Sequence, residues 1–586
     1  MTRPARAAAA IVAILLAVPT AALLPRSPSS RTVAETGEAY LDFLKQDSLY
    51  LRMKFGLPID RLPEISLAKE EADARFAARW LTRLGEVRPS DLEEDETLSL
   101  DILRRQLEIL RDSPHFHGLS FPVTPYASPF GVVNRAFSTF ALPDEAAARR
   151  YLALLRQMPA FVGAVRAELA AQAARGIRIP RDELAIAIPF VASLAGDAQT
   201  SPYAVGSERL AALPPPAAAR FREEIIAVIE KDVNPPLHSL VDWLGGEYRA
   251  QAPEAVGLGQ YPGGPEYYAW LVRLHTTMDV SPAQVHQVGL ERVAAIDTEM
   301  KKVRDRLGFA GTKAEFKALL KKDARLFPRT PEEIGERLMG HMRRIEPKVD
   351  AFFLRRPKAP YGVRRLEPQL EPGQTFGYYN PPSATEPVGY YYFNGSNLAD
   401  RSLLNAAALI YHELVPGHHF QINIAYESRA IPPFRRETTD TAYTEGWGEY
   451  ASALAGEMGM YEDPYDLYGR LAMEMFVTLR LVVDTGMNAL GWPRAKAVEL
   501  MRANLMETDT QIETESLRYS CDIPGQALAY KMGALEIRRL REKARAALGP
   551  RFDIRRFHEA VLGRGSLPMA TLERHIDAFI AQEKKR

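Results

Sequence analysis

The residues best suited to chemistry lie in one short run, from His412 to His419, which reads His-Glu-Leu-Val-Pro-Gly-His-His. The His-Glu pair matches the start of the His-Glu-x-x-His zinc helix. In that helix two histidines four residues apart share a face, and the glutamate serves as general base. Here the fourth position after His412 is Pro416, so the usual spacing is not met. Any metal site must therefore depend on a distortion of the chain.

A regular helix could not bring these histidines together. Each residue turns a helix by about 100° and advances it by about 1.5 Å. His418 would point about 120° away from His412, and His419 would lie about 10 Å further along the same face. Zinc needs ligand nitrogens at about 2.1 Å. Because Pro416 removes a helical hydrogen bond and Gly417 accepts unusual backbone angles, we predict a helical bulge that makes His418 the second ligand. His419 is the alternative ligand, and a broken helix end with incidental histidines is the alternative to a metal site.

A second helix is expected to supply the third ligand. Glu445 and Glu449 lie in the segment Thr444–Tyr450, one helical turn apart on one face. In zinc peptidases with a glutamate ligand, that residue follows the His-Glu helix by a few dozen positions. We therefore predict Glu445 as the third ligand and Glu449 as a partner that orients a ligand histidine. The alternative is a pair of solvated carboxylates. Two histidines and one carboxylate leave a position open for water, which is typical of catalytic zinc.

This site predicts hydrolysis of an amide bond. Zinc would polarise a water molecule, and Glu413 would take its proton and pass it to the leaving amine. Tyr519 and Tyr530 are candidate donors to the oxyanion, and Arg518 is a candidate clamp for a carboxylate or carbonyl group. The alternative for each tyrosine is a buried aromatic residue with one hydrogen bond.

The elements that must position these residues are mainly helical. Apolar residues recur at helical spacing over residues 66–112, 144–176, 216–243 and 282–307. Residues 357–395 are instead rich in turns and aromatic side chains, which predicts a small β element before the zinc helix.

Shorter signals refine this picture. Asp144 and Ser281 are predicted N-caps of helices. Gly389–Asn394 (Gly-Tyr-Tyr-Tyr-Phe-Asn) could be an edge strand that aligns a peptide through main-chain hydrogen bonds, or a strand packed on both faces. Gly257-Leu-Gly259 lacks the rest of a nucleotide-binding pattern and is interpreted as a turn.

The composition sets the broad class. The chain has 586 residues, of which 46% are hydrophobic and 25% are charged, as in soluble globular proteins. This excludes collagens, disordered tails and multi-span membrane proteins. The 74 basic residues equal the 74 acidic ones, which argues against a nucleic-acid partner. The single cysteine, Cys521, excludes intramolecular disulfides and cysteine-rich zinc sites.

The N-terminus predicts export. Arg3 and Arg6 precede an apolar run that ends near Leu24, the pattern of a secretory signal over residues 1–24. An uncleaved membrane anchor is the alternative, and the run is followed by no cysteine that could carry a lipid. We predict that residues 25–586 form a single large helical catalytic domain, which could comprise two lobes around a cleft. It would work in the periplasm or outside the cell, without stable membrane insertion once the signal is removed.

These motifs resemble a known family. The run His-Glu-x-x-Pro-Gly-His-His-x-Gln, followed by Glu-Gly-Trp, is similar to the bacterial family catalogued as domain of unknown function 885. The resemblance implies a large helical zincin-like metallopeptidase body, related to oligopeptidases and thermostable carboxypeptidases. The family often has a histidine at the position of Asn488, so a substrate role for that histidine does not carry over. Further blocks in the family's order are Tyr267-Tyr268, His275–Thr277, Val285–Gly289, Arg480–Gly486, Arg518-Tyr519, Pro524–Ala527, Tyr530-Lys531, Phe557-His558 and Gly565–Pro568.

The sequence therefore predicts an exported zinc-dependent hydrolase, in the first place a metallopeptidase acting on short peptides. One alternative is a metal-dependent amidase that cleaves a non-peptide amide, because the same zinc, water and glutamate would serve either bond. The other alternative is a non-catalytic binding protein that retains the fold.

Overall fold

The computed structural model describes residues 27–368, 371, 377–383 and 386–586. The predicted signal sequence lies outside these residues. The described chain is mainly helical, with one small three-stranded sheet, as expected from the sequence. None of its helices is long and apolar enough to span a bilayer.

The helices follow one another along most of the chain. The first fourteen are α1 (Pro28–Asp47), α2 (Leu49–Lys54), α3 (Leu67–Gly85), α4 (Glu94–Asp112), α5 (Pro129–Thr139), α6 (Glu145–Leu155), α7 (Met158–Ala174), α8 (Arg181–Ala192), α9 (Pro215–Val228), α10 (Asn234–Trp243), α11 (Gly264–Thr276), α12 (Pro282–Arg306), α13 (Lys313–Lys322) and α14 (Pro331–Ile345). After the sheet come α15 (Ala406–Glu413), α16 (His418–Glu427), α17 (Pro433–Glu437), α18 (Thr441–Glu457), α19 (Pro464–Ala489), α20 (Arg494–Asn504), α21 (Asp509–Leu517), α22 (Leu528–Leu548), α23 (Ile554–Leu562) and α24 (Met569–Lys585).

Both predicted N-caps are confirmed. The Asp144 side chain accepts a hydrogen bond from the backbone N–H of Ala147 at 2.7 Å. Ser281 forms a capping box with Gln284, so two of the free amides at the start of α12 gain partners.

The sheet lies between α14 and α15 in the chain. It consists of β1 (Tyr361–Arg365), β2 (Gly377–Asn380) and β3 (Gly389–Phe393) in the order β1-β3-β2. β3 is parallel to β1 and antiparallel to β2, so it is the central strand. The prediction that Gly389–Asn394 is an edge strand is therefore wrong. Its alternative holds for Tyr391, which is buried in the main apolar core.

That core surrounds the helices that carry the predicted site. Its apolar side chains come from α1, α3, α4, α14–α18 and α22–α24. A second apolar cluster is built largely by residues between Leu49 and Val285, and a third by α12, α13 and α19–α21. The helices α15, α16 and α18, which carry the predicted ligands, thus share one apolar core with the central strand of the sheet.

Glycines set the closest helix contact in this core. α18 and α22 touch backbone to backbone, since a Cβ atom at Gly446 would lie 2.6 Å from the Cα of Gly533. A Cβ atom at Gly533 would in turn lie 2.0 Å from the carbonyl oxygen of Ala442. This approach places Glu445 of α18 and Tyr530 of α22 on facing turns.

We predict that Gly446→Ala destabilises the protein. The added methyl group meets backbone atoms that cannot rotate away, and such overpacking costs about 1–3 kcal/mol. Thermal unfolding followed by circular dichroism measures the effect. Gly340→Ala in α14 is the matched control, because its nearest neighbour is an arginine tip at 3.9 Å. There alanine should raise stability by about 0.5–1 kcal/mol through its helix propensity. Equal melting temperatures for the two variants would contradict the close contact.

Candidate metal centre

The site begins with a break between two helices. α15 ends at Glu413 and α16 begins at His418, so four residues leave the helical path. Leu414 and Gly417 have backbone angles outside the helical region. A Cβ atom at Gly417 would lie 1.7 Å from the carbonyl oxygen of His412, so no side chain fits there. The predicted bulge within one helix is corrected: the helix ends and restarts, because both residues turn too sharply for a continuous helix.

The break is held by a side chain from α18. The indole Nε1 of Trp447 donates a hydrogen bond to the carbonyl oxygen of Pro416 at 2.9 Å. Trp447 is fully buried, so this bond is shielded from water. Trp447 stands two residues after Glu445. The helix that supplies the predicted third ligand therefore also fixes the shape of the segment between the first two.

Three predicted ligands converge on one point. The Nε2 atoms of His412 and His418 lie 3.4 and 3.3 Å from the same Oε2 atom of Glu445. One ligand atom from each residue falls within 4.8 Å of the others, and within the described ranges this is the only such group. Ligands about 2.1 Å from a tetrahedral zinc are about 3.4 Å apart. The spacing to Glu445 therefore suits one small divalent ion.

The electrostatics of the three groups also suit a cation. Burial alone would raise the pKa of Glu445, but His418 and His412 hold that pKa far below its ordinary value. Burial lowers the pKa of His418, and Glu445 outweighs this, so the pKa is raised. The cluster thus favours a positive charge between the imidazoles and the carboxylate. A divalent ion can supply this positive charge in place of a proton on an imidazole, since metal ligation requires neutral imidazoles. Nitrogen and carboxylate donors fit zinc.

On the sides away from Glu445, the ligand rings are held by packing. The Nδ1 atoms of His412 and His418 are buried without a hydrogen-bond partner. The ring of His412 lies against Gly448, where a Cβ atom would come within 2.7 Å of its Nε2 atom. On another side, the Tyr530 ring stacks on His412 at a centroid distance of 6.2 Å and an angle of 17°.

The predicted base borders the cluster and touches the sheet. The carboxylate of Glu413 accepts a hydrogen bond from the backbone N–H of Tyr379 in β2. Burial raises the pKa of Glu413, although the two histidines partly oppose this. Because the Tyr379 amide reaches Glu413 instead of β3, the site faces the side of β2 that pairs with no other described strand.

His418, and not His419, belongs to the cluster. The Nε2 atom of His419 donates to the carbonyl oxygen of Ala359 at 3.1 Å. Its Nδ1 atom accepts from the Tyr379 hydroxyl group at 2.8 Å. Burial lowers the pKa of His419 to about 4, so the ring is neutral. His419 therefore ties α16 to the sheet.

The predicted role of Glu449 is wrong. Its carboxylate accepts from the Arg470 guanidinium at 2.9 Å and lies 3.8 Å from the Lys531 ammonium group. It touches neither ligand histidine. One helical turn along α18 is enough to carry the side chain from the metal cluster into a separate buried ion network.

Tyr530 contacts a ligand of the cluster, and Arg518 contacts Tyr530. Tyr530 stacks on His412, and the Arg518 guanidinium hydrogen-bonds its phenol group. Arg518 also pairs with Glu515 at 3.2 Å and donates to Gln526 at 2.9 Å. Of the predicted substrate-binding residues, these two are placed beside the ligands.

Tyr519 is placed differently from the prediction. Its buried hydroxyl group donates to Glu515 and accepts from the Arg480 Nε atom at 2.8 Å. It is therefore committed to an ion network, and no contact joins it to the three ligands. The interpretation as an oxyanion donor is corrected for this reason.

Asn488 is held by hydrogen bonds to neighbouring main-chain groups. It is fully buried, accepts from the Leu258 amide at 2.9 Å and donates to the Tyr519 carbonyl oxygen at 2.9 Å. The turn at Gly257 packs on this part of α19, because a Cβ atom there would lie 2.2 Å from the Met487 carbonyl oxygen. Asn488 therefore links the Gly257 turn and the Arg518–Asp522 turn to α19.

Sequence reasoning missed Trp447, Gly448 and Tyr379. The first two stand in Glu-Gly-Trp-Gly, where two glycines around a tryptophan within a helix indicate close packing. That signal was present. For Tyr379 the contribution is a backbone amide, which no side-chain pattern could reveal.

Comparisons with known proteins add a family and two similar structures. The family described as "Bacterial protein of unknown function (DUF885)" matches residues 51–576. Among curated proteins, none matches.

A crystal structure described as a "putative lipoprotein" from Colwellia psychrerythraea is 26% identical, with a TM-score of 0.87, over 94% of this chain and 99% of the other. A "putative lipoprotein of unknown function" from Shewanella oneidensis is 19% identical, with a TM-score of 0.71, over 92% and 99%. The second shows the same fold.

We predict that Glu445→Ala sharply lowers metal binding. Removing the carboxylate leaves two imidazoles and no anionic ligand, and should weaken zinc affinity more than the roughly 10–100-fold seen when only a supporting residue is lost. Zinc content after dialysis against a metal buffer, measured by plasma mass spectrometry, tests this. Glu457→Gln is the control, because this half-exposed residue of α18 pairs with Arg541 instead. Equal zinc content in both variants would mean that another residue is the third ligand.

Proposed function

This chain belongs to the bacterial DUF885 family, and we propose that it is a zinc-dependent hydrolase that cleaves amide bonds of short peptides. One observation carries the proposal: two imidazole Nε2 atoms lie 3.4 and 3.3 Å from one carboxylate oxygen, on the segment that also carries Glu413. This is the ligand set of a catalytic zinc, with one coordination position left for water.

The residues divide the work as follows. His412, His418 and Glu445 would hold the ion, which when bound supplies Lewis-acid polarisation of water and of the scissile carbonyl group. Glu413 takes the proton of the attacking water and delivers it to the leaving nitrogen. Its raised pKa suits both steps, because a base works best when its pKa approaches the working pH.

Tyr530 would stabilise the developing oxyanion. Burial raises the pKa of its phenol group, so the group keeps its proton and can donate it in a hydrogen bond. The bond from Arg518 orients the phenol. Arg518 thereby acts on the reaction through Tyr530, in addition to the clamp role predicted from the sequence.

The sheet favours a peptide as the substrate. No described strand pairs with the side of β2 that faces Glu413. The Tyr379 amide there is bonded to Glu413, and the other main-chain groups of this edge would pair with an extended peptide. A non-peptide amide would gain nothing from this edge. In this proposal the peptide pairs with one side of β2, and β3 pairs with the other side.

The zincin relationship belongs to the same proposal. The His-Glu pair ends α15, and His418 joins the same cluster after the break. In this proposal His418 would take the part of the histidine four residues later in an unbroken zinc helix. The site would thus be a zincin-type centre with an interrupted helix.

We also propose that the protein is exported and works in the periplasm or outside the cell. The support is the signal-like pattern of residues 1–24, together with the description of both similar structures as lipoproteins.

The central test is Glu413→Gln. The amide cannot accept the proton of water, so hydrolysis should fall by about 100-fold or more while zinc stays bound. Zinc-loaded protein is incubated with a peptide library, and the products are identified by mass spectrometry. Glu462→Gln is the control, because this carboxylate is exposed and is not one of the residues of the candidate site.

The outcomes separate the hypotheses. Turnover retained by Glu413→Gln would remove this residue as the base. Cleavage of small amides but of no peptide would favour the amidase. Zinc binding by the wild-type protein without turnover of either substrate class would favour a binding protein that keeps the fold.

A further inference from the structure

A buried pair of acids lies outside the metal site. Glu183 is on α8, and Asp522 ends the π-helical turn Arg518–Asp522 that follows α21. Their side chains face each other at hydrogen-bonding range. Glu183 is 0% exposed and Asp522 is 4% exposed. None of their four carboxylate oxygens meets an N–H or O–H donor in good hydrogen-bond geometry.

Neighbouring charges do not neutralise this pair. Arg494 of α20 is the cation that faces Glu183, but its guanidinium is bonded to Asp182, Glu513 and Ser516. Arg518 faces Asp522 and is bonded to Glu515 and Gln526.

The remaining neighbours of the pair carry no charge. The Cys521 thiol is buried, which raises its pKa and keeps it neutral. From the segment before α5, the Thr124 hydroxyl and the Tyr126 amide approach Asp522 as donors and lower its pKa, but burial outweighs them.

Two adjacent carboxylates cannot both be ionised in such a place. Burial disfavours each charge, and each charge disfavours the other. A proton placed between the two groups removes one charge and supplies a donor that joins the two carboxyl groups. This is the arrangement of acid pairs that share a proton in other proteins.

We propose that Glu183 and Asp522 share one proton at neutral pH, and that this carboxyl–carboxylate hydrogen bond clamps α8 to the Arg518–Asp522 turn. Burial and the charge of Asp522 raise the pKa of Glu183 well above its ordinary value, in agreement with a retained proton. Burial also raises the pKa of Asp522.

The clamp joins two parts of the molecule. α8 packs in the second apolar cluster, whereas the turn carries Arg518, whose guanidinium reaches Tyr530. The Tyr126 ring lies over that guanidinium at 5.3 Å. Loss of the shared proton would set two like charges between α8 and the turn, and so loosen the support behind Arg518.

The direction of the pH dependence follows from the raised pKa values. The folded protein keeps a proton that the unfolded chain releases near pH 4.3, at about the model-peptide value. The stabilisation is complete below that pH and is lost as the pH rises through the folded pKa. The melting temperature should therefore fall from mildly acidic to alkaline pH.

The test uses full-length protein and needs no enzymatic activity, so it is independent of the proposed function. Infrared difference spectra at neutral pH, wild type minus Glu183→Gln, should show the band of one protonated carboxyl group. Asp522→Asn should lose the same band. Each amide donates permanently to the remaining carboxylate, so both variants should also lose this part of the pH-dependent fall in melting temperature.

The controls isolate the pair. Burial raises the pKa of Asp484 and of Glu507 to about 7, so both contribute protonated carboxyl groups. They are present in every variant and cancel in the difference. Asp182→Asn neutralises the neighbouring acid, which pairs with Arg494, and should keep both the band and the pH slope.

Two results would overturn the proposal. One is a difference spectrum without a carboxyl band, together with the same pH slope in wild type and Glu183→Gln. The other is a rise in melting temperature on adding Ca²⁺ or Mg²⁺ that occurs in the wild type and is absent in Glu183→Gln. That rise would show that the pair holds a cation instead of a proton.

Discussion

The hydrogen bond from the Trp447 indole to the Pro416 carbonyl oxygen is the contact on which the candidate site depends. On a continuous helix, His412 and His418 would diverge by about 120°. The break between α15 and α16 removes this constraint, but a four-residue break without support could take many shapes. Since Trp447 stands two residues from Glu445, one rigid helix sets both the path between the histidines and the position of the carboxylate. The geometry of the three ligands is thus fixed by α18.

The same dependence explains the glycines around the site. Gly417 lets the chain pass within contact of the His412 carbonyl group, and Gly448 leaves room for the His412 ring. Gly446 and Gly533 then allow α22 to approach α18 and bring Tyr530 onto that ring. In a helix interior, glycine is about 1 kcal/mol less favourable than alanine. The glycines within α18 and α22 therefore need a packing reason. Here the reason is close approach: the His412 ring fills the space beside Gly448, and backbone atoms fill the space beside Gly446 and Gly533.

The sequence was sufficient for the helical class, the sheet position and the grouping of His412, His418 and Glu445. Helix geometry and the Pro-Gly interruption indicate the two histidines, whereas Glu445 was predicted from the position that a glutamate ligand takes after the His-Glu helix in zinc peptidases. Spacing arguments alone fail where partners come from distant segments. Glu449 shares a face with Glu445, yet Arg470 and Lys531 determine its environment. Tyr519 follows Arg518 directly, yet its hydroxyl group points into the Arg480–Glu515 network. The three consecutive tyrosines of β3 indicate a strand but not its place in the sheet, because β2 is paired by tertiary contacts.

The charges behind the site bear on whether Tyr530 can act as a donor. Two guanidinium groups, those of Arg480 and Arg518, lie against it, and two cations would favour loss of the phenol proton. Their effect is offset because both are also paired with Glu515, and because burial penalises a charged phenolate. The net result is a raised pKa for Tyr530, so the phenol stays protonated at neutral pH. An ion network that uses both arginines is therefore compatible with a neutral hydrogen-bond donor facing the ligands. The hydroxyl group of Tyr519 is bonded to Arg480 and Glu515 within this network, so it does not serve as a donor to the ligands.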